Sequence, residues 1–166
     1  MGGESSVLRN ERQSKAARAW VALLHAHTAL TRSFNADLQA AHGMTVTDFE
    51  VLRHLAGAEE GRMRRVDLAQ RVGLTPSGIT RLLDGLQQAG LVCKAGCRSD
   101  GRVSYAELTD AGRETLLSTA ATHIAAIEAL FTERFTAEEI DRLGELLERL
   151  PLTGDGGACP HLTAGD

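Results

Sequence analysis

One stretch constrains this chain more than any other: Asp67-Leu68-Ala69-Gln70-Arg71-Val72-Gly73-Leu74-Thr75-Pro76-Ser77-Gly78-Ile79-Thr80-Arg81-Leu82-Leu83-Asp84. A short amphipathic segment stops at Gly73, where glycine lets the chain reverse because it takes positive φ freely. Thr75 then supplies a hydroxyl N-cap, and Pro76 suits the first helical position. Ile79, Leu82, Leu83 and Leu86 recur at helical spacing and face inward. Ser77, Gly78, Thr80, Arg81 and Asp84 are left facing out. The pattern predicts a short helix over 66–72, a tight turn, and a second helix from Thr75 to about Ala89.

Residues 91–95 and 103–108 have strand character, and the segment between them is polar and glycine-containing, so a hairpin follows. Helix, turn, proline-started helix and hairpin in that order make a winged helix-turn-helix. Its flanks read as long helices. Over 14–41, Trp20, Leu23, Leu24, His27, Leu30, Phe34, Leu38 and Ala41 form one apolar stripe ending at His42-Gly43. A helix of about 28 residues spans ~42 Å, longer than a small core needs, so part of it should meet another chain. Thr47-Asp48-Phe49-Glu50 reads as a capping box opening a second helix, and Gly57 and Gly61 bracket a loop. Thr109 caps a fifth helix with the stripe Leu116, Ala120, His123, Ile127 and Leu130. Thr136-Ala137-Glu138-Glu139 opens a sixth, closed by Pro151. The expected fold is mainly α with a small β-wing. Its parts are a disordered N-terminus (1–13), an N-terminal dimerisation helix (14–45), a winged helix-turn-helix (46–108), C-terminal dimerisation helices (109–150) and a flexible tail (151–166).

Charge is where composition enters. The 166 residues carry a formal net charge of −4, which argues against a uniformly basic nucleic-acid coat protein or a polybasic membrane binder. The charge is polarised, however. Residues 62–102 hold eight Lys/Arg against three acids, a net of +5, while 103–166 hold four against twelve, a net of −8. The only basic segment carries the helix-turn-helix pattern, and phosphate contacts need such a patch. No apolar run approaches the ~18 residues of a membrane helix, and the N-terminus lacks a signal-peptide core, so a cytoplasmic location with no membrane partner is expected. Cys93, Cys97 and Cys159 do not make a disulfide framework or a paired zinc motif. Aromatic residues are 4%, too few for a single-strand stacking platform. No nucleophile elbow, zinc-protease or phosphate-loop motif is present, so neither an enzyme nor a cofactor is expected.

The reading residues follow. A helix with small polar groups near its N-terminus fits the major groove, which places Ser77, Gly78, Thr80 and Arg81 at base edges or phosphates. Gly78 lets the helix approach closely. Lys94 lies on the first strand of the hairpin. Arg98, Asp100 and Arg102 lie at its tip, where arginine can enter a narrow minor groove.

From about residue 16 to 150 the chain resembles the multiple-antibiotic-resistance regulator (MarR) family. The resemblance is carried by LAQRVGLTPSGITRLLDGLQQAGLV, then SDGRVSYAELTDAG, then a long helix. It implies an obligate homodimer joined by the first, fifth and sixth helices. It also implies binding to pseudo-palindromic operators, usually as a repressor released by a small ligand or by oxidation. Ser77, Thr80 and Arg81 match recognition-helix positions, and Asp100 and Arg102 match the wing's paired Asp and Arg. The family often has arginine where this chain has Gly85 and Gly101. Trp20, His27, Arg53 and His123 are candidate ligand-binding residues, since a ring, two imidazoles and a cation suit a small aromatic or phenolic acid. Rival readings are a metal sensor using the six histidines, a thiol sensor at Cys97, and a helical interaction module that does not bind DNA.

Overall fold

Hydroxyl caps set the starts of the main helices in the computed structural model, which describes residues 14–96 and 104–150. The order is α1 (Lys15–His42), α2 (Val46–Ala56), a 3-10 turn (Glu59–Gly61), β1 (Arg62–Arg64), α3 (Arg65–Arg71), α4 (Pro76–Gln88), β2 (Val92–Gly96), β3 (Ser104–Leu108), α5 (Asp110–Thr132) and α6 (Ala137–Glu148). The expected disordered N-terminus, the tail and the hairpin tip with Cys97, Arg98, Asp100 and Arg102 lie outside the described residues. The chain divides into two compact units, up to Val46 and from Thr47 onward.

In the first unit, Ser14 caps α1 by accepting from the Ala17 N–H, and Gly43 closes it at φ +67°, its N–H donating to the Gln39 carbonyl. Phe34 and Leu38 are buried on α1, while Trp20 is 62% exposed. The start of α2 differs from the expected capping box. The helix already includes Thr47, and its first N–H, that of Val46, is capped at 2.8 Å by the Asn35 side chain of α1.

The second unit has its core in Phe49, Val51, Leu52, Leu55, Leu68, Ile79, Leu83 and Leu86, closed by Val92, Ala106, Leu108 and Leu116. Its sheet has three strands in the order β1-β3-β2, all antiparallel. The hairpin was expected, and β1 was not. Arg62, Met63 and Arg64 follow the loop bracketed by Gly57 and Gly61, in a stretch to which the sequence assigns no element, and pair with Glu107, Ala106 and Tyr105. Alternation along β2 and β3 puts Val92, Lys94, Ala106 and Leu108 on one face and Cys93, Tyr105 and Glu107 on the other.

α5 buries Gly112, Leu116, Thr119 and His123, and leaves Leu117 65% exposed. Although no uninterrupted apolar run was found in the sequence, α5 is long and apolar enough to cross a membrane by length and composition alone, with a mean hydropathy of 1.2 over its best window.

The start of α5 is locked to the end of α4. Thr109 Oγ1 lies 2.8 Å from the Gly90 carbonyl and 3.0 Å from that of Leu91, to which it donates, and it accepts from the Gly112 N–H. The Thr109 N–H also donates to the Leu91 carbonyl at 3.1 Å. Gly112 is required by this approach, because a Cβ there would stand 2.1 Å from the Leu91 carbonyl oxygen and 2.8 Å from Leu108 Cδ1. Gly112→Ala is therefore expected to destabilise the protein by about 1–3 kcal/mol through overpacking against backbone, read as a lower urea midpoint at unchanged slope.

Candidate nucleic-acid interface

The helix-turn-helix forms from local hydrogen bonds. α3 ends as the Val72 N–H donates to the Leu68 carbonyl, and Gly73 turns the chain at φ +67°. Thr75 caps α4, its Oγ1 accepting from the Gly78 N–H at 3.1 Å and lying 3.2 Å from Ser77 Oγ. Ile79, Leu83 and Leu86 are buried, whereas Ser77, Thr80 and Arg81 are exposed as expected. Thr80 Oγ1 donates to the Pro76 carbonyl at 2.8 Å, so the hydroxyl proton is engaged inside the helix. Thr80 thus faces outward as an acceptor and a methyl group. Arg81 forms no hydrogen bond or ion pair with the described residues, and its five donors are available to a partner.

Two glycines of α4 differ in what surrounds them. A Cβ on Gly78 would meet Thr75 Oγ1 at 3.2 Å and Leu74 Cβ at 3.7 Å, so its small size serves the cap and the turn inside the fold. A Cβ on Gly85 would meet nothing within 4 Å. Space for a Cβ is therefore open at that position among the described residues.

Lys94 is engaged by the fold. Its Nζ lies 3.3 Å from Asp84 Oδ1, an ion pair joining β2 to the outward stripe of α4. Both side chains are about half exposed, so the pair adds little stability, and its effect is positional. On the opposite face of the sheet, the Arg62 guanidinium sits 5.6 Å from the centre of the Tyr105 ring and pairs with Glu60 at 2.6 Å.

The candidate effector residues stand in separate units. Trp20 and His27 are exposed on α1. Arg53 and His123 belong to the second unit, where sequence reasoning missed their neighbours Glu50 and His54, although spacings of three and four on one helix give the signal. The Arg53 Nε donates to Glu50 at 3.1 Å, and His54 Nε2 lies 3.8 Å from the same carboxylate. His123 is 7% exposed and packs edge-on to Phe49, with ring centres 5.2 Å apart. Burial lowers the pKa of both histidines. Arg53 and Arg71 add to this at His54, while Glu50 opposes it at both. Among the described residues, no group of three or more His, Cys, Asp or Glu side chains is placed to hold a metal ion. Cys93 is an exposed free thiol.

This geometry defines a winged helix-turn-helix DNA-binding protein, and comparison with known proteins makes the class specific. The MarR family profile matches residues 42–103. The HTH-type transcriptional repressor YetL of Bacillus subtilis is 34% identical over 120 residues, covering 70% of this chain and 71% of YetL. Sco3205, a MarR family regulator of Streptomyces coelicolor solved in complex with DNA, superposes with a TM-score of 0.74 at 30% identity, over 86% of this chain and 90% of that one. NadR, solved with 4-hydroxyphenylacetate, superposes with a TM-score of 0.64 at 28% identity, over 82% of this chain and 94% of NadR. The chain belongs to the MarR family of DNA-binding transcription regulators. It is not an enzyme, and the reading as an interaction module without DNA affinity is set aside.

The two histidines yield a pH dependence. Their folded pKa values lie below the ordinary 6.5. The unfolded chain therefore binds more protons just below that pH, and their contribution, complete above it, is lost as pH falls toward the folded values. The urea midpoint is expected to drop between about pH 7 and about pH 5, and His123→Gln, which does not titrate, should make that drop smaller.

Proposed function

We propose that this protein is a homodimeric repressor that binds pseudo-palindromic operator DNA and is released by a small aromatic acid. The observation that carries the reading is the exposed stripe Ser77, Thr80 and Arg81 on the first turns of α4, with the Arg81 guanidinium unengaged among the described residues. In a dimer, two such helices enter successive major grooves about 34 Å apart, which matches the two-fold symmetry of the operator. Arg98, Asp100 and Arg102, which in sequence join β2 to β3, are the wing contacts. The apolar residues exposed on α5 and α6, among them Leu117, Ile124, Leu146 and Leu147, supply the dimer surface. The surroundings in which such a protein works are cytoplasmic.

Release follows from population shift. The effector must bind the geometry that mismatches the groove spacing more tightly than the one that fits it. The aromatic-acid class is supported by NadR, whose solved ligand is 4-hydroxyphenylacetate. In this chain Arg53 is already paired with Glu50, so an incoming carboxylate would exchange with Glu50 for the guanidinium.

Salt titration against duplex DNA tests the reading. The wild type should lose affinity steeply with salt, and Arg81→Ala should cost about 1–3 kcal/mol on the operator. No binding to any genomic fragment at low salt would refute the reading. In the same assay 4-hydroxyphenylacetate, used as a probe, should weaken operator binding by the wild type, and Arg53→Ala should respond less. An equal response would remove Arg53 from effector recognition.

A further inference from the structure

Between α4 and the sheet lies a small crevice lined by Arg65 from α3, Leu83 and Gln87 from α4, Val92 and Lys94 from β2, and Ala106 from β3. Arg65 is the first residue of α3 and is half-buried. Its Nη2 is closed off from solvent and has no hydrogen-bond partner among the described residues. A buried cationic donor without an acceptor is costly, so a group from outside the chain is the natural partner. The crevice is small and partly open, with room for an atom the size of a water oxygen beside the guanidinium. Lys94, one of its lining residues, is linked to the outward stripe of α4 through Asp84. Asp84, on the outward stripe with Thr80 and Arg81, holds Lys94 at the edge of the crevice.

The geometry points to Arg65, with Lys94 beside it, as a clamp for one phosphate of the DNA backbone. This rests on the DNA-binding reading above. A helix in a major groove and a wing in the adjoining minor groove are separated by one sugar-phosphate backbone, which therefore crosses the gap between α4 and β2. Arg65 stands in that gap, and a non-bridging phosphate oxygen fits both its volume and its unfilled donor. The contact is to backbone alone, so Arg65 contributes affinity and register on every sequence and no base preference. Asp84 keeps Lys94 aligned at the edge until a phosphate arrives.

The test uses the full chain and a fluorescent duplex of random sequence, with affinity measured as a function of salt. Arg65→Met keeps the packing length and removes the charge. Its plot of log affinity against log salt should be shallower by about 0.9 than the wild type, with binding weakened roughly tenfold at low salt. Arg65→Lys, which keeps a cation, should retain the wild-type slope, as should Arg142→Met, a charge-matched change on α6. Arg65→Met should melt no lower than the wild type, and if it does, Arg65→Gln repeats the slope measurement with a polar end. A steep wild-type slope left unchanged in Arg65→Met and Arg65→Gln would overturn the clamp and leave the DNA-binding reading standing, since a water would then fill the crevice. A wild type without salt-dependent binding would overturn both. Inorganic phosphate separates the remaining source: if it raises the melting temperature of the wild type but not of Arg65→Met, while the DNA slopes agree, the crevice holds free anions and the clamp is wrong.

Discussion

One hydroxyl group ties the reading head to the rest of the second unit. Thr109 Oγ1 meets the carbonyls of Gly90 and Leu91, where α4 has just ended, and at the same time caps α5. β3 ends at the residue before it. Recognition helix, wing and long C-terminal helix therefore share one junction, closed tightly enough that position 112 has no room for a Cβ. The joint holds the start of α5 directly against the end of α4.

The elements most legible in the sequence are those specified by local chemistry. Thr75-Pro76, Thr109 and the Thr136–Glu139 capping box each mark a helix start within a residue, because a cap is a contact between near neighbours. What was missed is specified by distant partners. β1 is three residues long, carries arginines at both ends, and exists because Glu107, Ala106 and Tyr105 lie beside it. The start of α2 looked like a capping box, and the cap comes instead from Asn35, eleven residues back. The same division runs through the site. Ser77, Thr80 and Arg81 could be placed by periodicity alone. That Lys94 would be held by Asp84, or that the Gly78 space would face the Thr75 cap, depends on how the strand and turn pack.

Polarity of charge gives the functional reading a physical basis beyond family membership. A net charge of −4 conceals a segment of +5 and one of −8. The acidic C-terminal portion repels DNA and the basic reading head attracts it, so an approaching duplex is oriented before contact. Asp84 stands inside the attractive region, paired with Lys94.

The apolar face of α5 has a consequence for abundance. With Leu117 and Ile124 exposed on a helix of this hydropathy, the isolated chain is left with surface that water solvates poorly. If a second copy covers that face, folding and assembly share one free energy, and the stability of the protein rises with its own concentration.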